Sequence, residues 1–371
     1  MAAPVSDPAA VVARLPPMMR AVVIPKIGGP EVLRLEVVPT PLPASGEVLI
    51  AVRTVAANRQ DVFTMTGTAN VRQLRLPHIP GIDPAGVVVA VAPDVDGIAP
   101  GARVLTKPAV ACGSCRFCEA GEDDACANLQ NVGVHRPGGM AEYVAVPARN
   151  VFPIPDRVGY AEATAIAHSF PVALQLLARA RLAADDVVLV TGAAGAVGSA
   201  AVQLAKREGA TVVAAVGGPD RAAIVASLGA DLVVDYGSEP RWADLVRERY
   251  PDGVTLYVEP AGNPQVWTEA VRALARRGRV AVCGAHAGPV VELDLAWLFR
   301  TRATVIGCSG STMAGVRRIV ELASEGGLRP AVDSIRPLED VRAAFERLLA
   351  RENRGKLVLE VSKDPPPDAA D

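Results

Sequence analysis

The chain has 371 residues, half of them apolar, with 38 basic and 40 acidic side chains. That length exceeds what one hydrophobic core usually supports, so two domains are expected. No apolar run is long enough to cross a bilayer and no Lys/Arg cluster forms a stripe for nucleic acid or anionic membrane, so the expected partners are small molecules and further copies of the chain.

Residues 1–18 are rich in Ala and Pro without periodicity and read as a flexible extension; they hold no apolar segment of signal-peptide length, which points to the cytoplasm. From Met19 to about Pro155, short runs such as RAVVIP, EVLIAVRTVAA, AGVVVAVA, ARVLTKPAV and AEYVAVP, broken by turn residues, predict a mostly antiparallel β half. Within it Cys112, Cys115, Cys118 and Cys126 follow one another at spacings of three, three and eight residues. Four thiolates on one folded-back lobe, residues 108–130, satisfy tetrahedral zinc and leave no open position for water or substrate, so one structural zinc per chain is expected. Disulfides and a metal-free lobe are the alternatives, and the cytoplasmic reading disfavours the first. Cys283 and Cys308 stand alone in apolar runs and read as packing residues.

From about Tyr160 the pattern changes. A helix-like stretch, AEATAIAHSFPVALQLLARA, precedes an alternation of strands (DVVLVTG, ATVVAAVG, DLVVDY, VTLYVEP, RVAVCGA, ATVIGCSG) with helices (SAAVQLAKREG, RAAIVASLGA, RWADLVRERY, QVWTEAVRALARRG). Strands alternating with helices predict a doubly wound parallel sheet, and the fold class is α/β. Helices TMAGVRRIVELASEGG and LEDVRAAFERLLARE and strand GKLVLEV are expected to return to the first domain; SKDPPPDAAD reads as a loose tail.

Between the first of those strands and its helix, Ala193, Gly195 and Gly198 stand in an A-x-G-x-x-G frame with Gly192 one step upstream and Ala196 and Val197 opening the helix. Small residues let the backbone approach a pyrophosphate, and the helix N-terminus offers unpaired N–H groups and partial positive charge. A mere tight turn is the bland alternative. An NAD site generally ends its second strand on an acidic residue. Here that strand runs into Gly217, Gly218, Pro219, Asp220 and Arg221, leaving room for a 2′-phosphate that Arg221 would pair, so NADP (NADPH) is favoured over NAD. Asp220 is the residue that would argue the other way, and Arg221 as a merely solvated first-turn helix residue is the alternative.

The cysteine lobe, GEVLIAVRTVAANRQD, LPHIPGIDPAGVVVAV, GARV, GGMAEYVAVP, the glycine loop, LGAD and GKLVLEV occur in this order, and the chain thereby resembles the medium-chain dehydrogenase/reductase superfamily over about residues 19–362. The resemblance implies a GroES-like catalytic domain (19–172 and 309–362), a Rossmann domain (173–308), a flexible tail (363–371), an active site in the cleft and a homodimer or homotetramer. It also implies that the turns at Cys283–Gly284 and Cys308–Ser309 line the nicotinamide pocket through their backbones.

Zinc-dependent alcohol dehydrogenases of this superfamily hold a catalytic zinc through a first-loop cysteine, a histidine in Gly-His-Glu, and a cysteine or acid before the Rossmann domain. In this chain the first position matches Asn58, the second reads Gly81-Ile82-Asp83, and no cysteine lies between Cys126 and Cys283. Isoleucine cannot ligate and an amide is a poor zinc ligand, so loss of the catalytic zinc is expected. The pattern Asn58, Asp61, Gly67 looks like the quinone oxidoreductase and enoyl reductase branch, which implies NADPH-dependent reduction of an activated C=C bond without catalytic zinc. Asn58 is the candidate polar group near the substrate oxygen, against a loop-ordering role; Asp61 would orient its loop, and Arg59 and Gln60 are weaker substrate contacts. Related enoyl thioester reductases can place a proton-donating tyrosine where this chain has Ala69, which leaves water, His78 or His168 as the proton source. Tyr143 is expected to pack, and Pro171 stands where a threonine is usual. An alcohol or aldehyde dehydrogenase and a non-catalytic nicotinamide-binding protein are the competing readings.

Overall fold

The computed structural model describes residues 15–68 and 74–362; Ala69, most of the N-terminal extension and the tail lie outside them. Two compact units are formed: one runs through His168, takes in Val316–Gly326 and resumes at Val332, and the other comprises Ser169–Gly315 and Gly327–Ala331.

In the first unit β1 (Met18–Val23) pairs antiparallel with β2 (Arg34–Pro39). β3 (Glu47–Ala57) is buried along its whole length because both of its edges are taken. β4 (Ala85–Val91) occupies one; β8 (Tyr143–Pro147) covers Glu47–Ala51 on the other, and β17 (Lys356–Glu360) covers Thr54–Ala57. β5 (Arg103–Thr106) and β9 (Val151–Pro153) extend the sheet beyond β4, and β16 (Val332–Pro337) flanks β17. β6 (Ala109–Val110) and β7 (Gln130–Asn131) form a small ribbon under the cysteine lobe. Val22, Ile50, Val52, Val88, Phe345 and Leu359 are among the residues that close the core.

Helix α1 (Arg59–Thr66) begins where β3 ends, with Asn58 at its N-cap and Asp61 at the third helical position reaching back to the Asn58 N–H; Gly67, at φ 67°, closes it. A one-turn helix α2 (Arg116–Glu119) lies in the cysteine lobe, and α3 (Tyr160–Ala167) closes the first passage.

The second unit is the expected parallel sheet, in the order β12-β11-β10-β13-β14-β15. Its strands are β10 (Val187–Thr191), β11 (Thr211–Val216), β12 (Leu232–Asp235), β13 (Val254–Glu259), β14 (Leu274–Val282) and β15 (Thr304–Gly307). The helices are α4 (Ser169–Arg179), α5 (Ala196–Arg207), α6 (Pro219–Ser227), α7 (Trp242–Arg249), α8 (Pro264–Ala273) and α9 (Leu295–Thr301). The order reverses between β10 and β13, the switch point at which such sheets receive ligands. α10 (Met313–Glu325), from Val316 onward, and α11 (Val341–Leu349) return to the first unit.

Several elements differ from expectation. The stretch read as one helix is two, α3 and α4, parted at His168; Pro171 lacks the N–H an interior position needs and sits in the first turn of a new helix. α4 is therefore continuous across residues 172–173, and the second unit begins at Ser169 and runs past 308 to Gly315. The helix expected through Gly278 stops at Ala273, where Leu274 pairs with Val254; Arg277, at φ 60°, precedes the register shift that brings Arg279 opposite Leu256. β2 and β16, mostly exposed and rich in charge, gave no apolar alternation to read. α9 did carry a signal, since Asp294 caps it by accepting from the Ala296 and Trp297 N–H groups.

Candidate functional site

Where β3 runs into α1, the first unit buries an unusual concentration of charge. Asp61 and Asp83 are fully buried, Lys356 is 4% exposed and Asn58 9%. β17 pairs antiparallel with β3, Leu357 opposite Ala57, which brings Lys356 beside Asn58. Its ammonium donates to Asp83 Oδ2 at 2.7 Å and to Asn58 Oδ1. The Asn58 amide in turn donates to Asp83 Oδ2 and to the Ala56 carbonyl, each at 3.0 Å, and Asp83 Oδ1 accepts from the Ala56 N–H at 3.0 Å. Asp61 accepts from the Asn58 and Gly81 N–H groups, both at 2.9 Å. Gly81 has to be glycine, because its φ is 106° and an added Cβ would lie 2.6 Å from the Met140 nitrogen.

Electrostatics divide the roles. Burial first, and the neighbouring Asp83 second, raise the Asp61 carboxyl to about 7. His168 borders the same group: desolvation, then the Lys356 charge, push its imidazole down to about 4, so it is neutral at pH 7. Both N–H bonds of the Asn58 amide are engaged inside the cluster, so Asn58 orders the site in this geometry, and its partner Lys356 carries the positive charge. Ile82, 1% exposed, offers only hydrocarbon. His78 is held elsewhere, its backbone bridged to Ile24 and its imidazole lowered by burial; Tyr143 lies opposite Ala51 on β8, half-buried as expected. Arg59 and Gln60 open α1.

The cysteine lobe is a second centre. Among the described residues, Cys112, Cys115, Cys118 and Cys126 are the one group of three or more His, Cys, Asp or Glu residues whose ligand atoms all lie within 4.8 Å of one another. Cys115 and Cys118 Sγ are 3.5 Å apart, Cys112 and Cys118 Sγ 3.9 Å, and the Cys112 N–H points at Cys126 Sγ from 3.2 Å. A backbone N–H at Ser114 draws the Cys112 thiol down to about 6, whereas desolvation and the crowding thiols push Cys118 up to about 11. Four sulfurs this close cannot all ionise unless a cation compensates them, and this donor set fits zinc. The root of the lobe is fastened separately: the fully buried Lys107 donates to Asp123 Oδ2 at 2.8 Å and to the Ala109 carbonyl at 3.0 Å.

In the second unit, the turn from β10 into α5 carries Gly192, at φ 54°, Ala193, Gly195 at the N-cap, and Ala196, Val197 and Gly198 in the first helical turn, with no side chain capping the helix. A Cβ on Gly198 would lie 2.3 Å from the Gly192 carbonyl, so helix and strand approach too closely for any other residue. A cradle of bare N–H groups at the switch point fits a dinucleotide pyrophosphate. Gly217 and Gly218 follow β11, and Arg221 reaches back from α6 to the Gly217 carbonyl at 2.9 Å. Asp235, at the end of the neighbouring β12, accepts from Gly218 N–H at 2.8 Å and Gly237 N–H at 2.9 Å. This carboxylate carries no local sequence signal, because it ends β12, the strand beside the one whose last residue the motif spacing marks. Beside the turn, the buried Glu259 accepts from Thr191 Oγ1 (3.0 Å), Tyr257 OH and the N–H groups of Ala261 (2.6 Å) and Gly262 (2.7 Å). Cys283 N–H bonds the Glu259 carbonyl at 3.1 Å, and Cys308 N–H the Val282 carbonyl at 2.8 Å. Cys283–Gly284 and Cys308–Ser309 thus continue adjacent parallel strands from the same sheet end as the glycine turn.

Known proteins are similar to this chain over most of its length. Residues 44–156 match the family described as alcohol dehydrogenase GroES-like domain, and residues 196–325 match zinc-binding dehydrogenase. An alcohol dehydrogenase of Geobacillus stearothermophilus is 30% identical over 92% of this chain and 100% of its own length. An acryloyl-coenzyme A reductase of Metallosphaera sedula is 28% identical over 92% of this chain and 99% of its own. The crystal structure of an NAD-dependent alcohol dehydrogenase superposes with a TM-score of 0.88 at 36% identity, covering 93% of this chain and all of that one. With both halves matched in order and nearly the whole length shared, the chain belongs to the medium-chain dehydrogenase/reductase superfamily, a family of oxidoreductases.

Proposed function

We propose that this oxidoreductase uses NADPH to reduce an activated C=C bond in an enone, quinone or enoyl thioester, with one structural zinc in the cysteine lobe and no catalytic metal. One observation carries the reading. Asn58 and Ile82 stand at positions where zinc-dependent relatives are expected to place ligands, and the Lys356 ammonium already lies against the oxygens of Asn58 and Asp83. A cation bound there in addition would be repelled at close range. Without a metal to acidify an alcohol, a conjugated acceptor is the more accessible substrate, because its carbonyl already draws electrons toward oxygen.

A bound nicotinamide dinucleotide supplies the hydride. The residues of this chain do the rest: the first-turn amides of Ala196, Val197 and Gly198 take the pyrophosphate, and Glu259 fixes the turn beside it. Arg221 favours a 2′-phosphate, and Asp235, held by two backbone N–H groups, moderates that preference by its charge. The neutral imidazole of His168 leaves Lys356 without a competing cation at neutral pH.

We further propose a homodimer or homotetramer whose contact between copies runs through the second unit. β15 is an edge strand with Val305 43% exposed, and on α9 Leu295 is 70% and Phe299 67% exposed. An apolar edge of this kind is ordinarily covered, and self-pairing is the simplest cover. A reducing compartment such as the cytoplasm suits four cysteines kept as metal ligands; among the described residues no helix is long and apolar enough to cross a membrane.

Metal analysis joined to an NADPH-oxidation assay tests the proposal. One zinc per chain and turnover of an enone or quinone are expected. Two zinc ions per chain with alcohol oxidation would overturn it in favour of a dehydrogenase, and tight NADPH binding without turnover would overturn it in favour of a binding protein.

A further inference from the structure

Three of the groups that meet at the β3–α1 junction have places in the reading above: Asn58 orders the loop, Asp61 holds it, and Asp83 pairs with the ammonium. The ammonium itself has donor capacity left. It carries three N–H bonds; one goes to Asp83 and one to Asn58, and among the described residues none accepts the third. We infer that this third N–H of Lys356 is the donor that receives the substrate oxygen, making Lys356 a catalytic residue.

This rests on the reductase reading and deepens it. Hydride forms a C–H bond at the β-carbon, the C=C electron pair moves toward the carbonyl, and negative charge collects on the oxygen as an enolate. Lys356 hydrogen-bonds that oxygen without giving up its proton. The α-carbon then takes a proton from water, which yields the saturated carbonyl compound, oxidised nicotinamide and hydroxide for the buffer to neutralise. The surroundings suit the role: Asp83 and Asn58 fix the ammonium from two sides, so little reorganisation is needed when charge develops. A lysine held by a single surface carboxylate would have no such constraint.

The variant to make is Lys356→Met, which keeps the side-chain length and removes the charge. Its kcat for an α,β-unsaturated ketone should fall on the order of 100-fold, as when one preorganised oxyanion donor is removed, while NADPH binding measured by fluorescence stays unchanged. The fall should be smaller for a quinone of high potential, which needs less help in accepting charge. An equal fall for both acceptors would mark a merely structural lysine, and a kcat within about threefold of wild type would exclude the contact. Should Lys356→Met fail to fold, the charge-neutral double variant Asp83→Asn with Lys356→Met is tested for the same acceptor-dependent loss. The wild-type protein gives an independent reading: para-nitrophenol, an enolate mimic, should bind the NADP complex as its phenolate, and absence of bound phenolate overturns the inference. Wild type that binds phenolate yet turns over neither enone nor quinone would sink the reductase reading and leave the Lys356 contact standing.

Discussion

Replacing Asp83 by alanine removes a fully buried carboxylate that accepts from Lys356 Nζ, Asn58 Nδ2 and the Ala56 N–H. Stripping one partner from a buried ion pair costs about 3–5 kcal/mol, because the surviving charge stays out of water. Two further donors lose their acceptor at about 1–3 kcal/mol each, and groups that share one network do not add in full. A loss of about 4–7 kcal/mol is expected, a large part of the roughly 5–15 kcal/mol that holds a typical domain together. Adding Lys356→Met should restore at least half of it, since the stranded charge leaves too. Urea unfolding should be followed by far-UV circular dichroism, because Trp242, Trp267 and Trp297 all lie in the second unit and their fluorescence would report on the other half of the chain. A single-variant cost below about 1.5 kcal/mol, or a double variant as unstable as the sum of its parts, would refute the argument that Asp83 and Lys356 form one buried electrostatic unit.

Cys118→Ser should abolish binding of the single zinc, seen by metal analysis of the purified protein, and expose residues 112–126 to limited proteolysis. Arg221→Ala should lower kcat/KM for NADPH about 10- to 100-fold relative to NADH, the worth of a charge-assisted contact to phosphate, and steady-state kinetics with the two cofactors would show it; an unchanged ratio would leave Arg221 a surface residue. His168→Gln should make stability less sensitive to acid. The wild-type imidazole titrates near 6.5 in the unfolded chain and about 4 in the fold, so stability present above pH 6.5 is lost as pH falls toward 4, by up to about 3 kcal/mol, and thermal melts across that window would measure the difference.

What could be read from the sequence was what lies close along it. The cysteine lobe and the glycine turn each draw their chemistry from fewer than about 20 residues, so spacing alone carried them. The Asp83–Lys356 pair joins positions 273 residues apart, and neither partner announces itself locally: Asp83 sat in a motif notable for a missing histidine, and Lys356 opened what read as a closing strand. Asp235 escaped because it comes from the strand beside the one that motif reading inspects. The β14 boundary failed because Leu-Ala-Arg-Arg-Gly continues a helical pattern well enough, and only pairing with Val254 makes it a strand.

The Lys107–Asp123 contact fastens the lobe by a chemistry different from that of its four sulfurs. Chelators and oxidants attack sulfur ligands and leave an ammonium–carboxylate contact alone. On the zinc reading, a lobe stripped of its metal would still be tied at the root by this contact, placed for reloading rather than rebuilding.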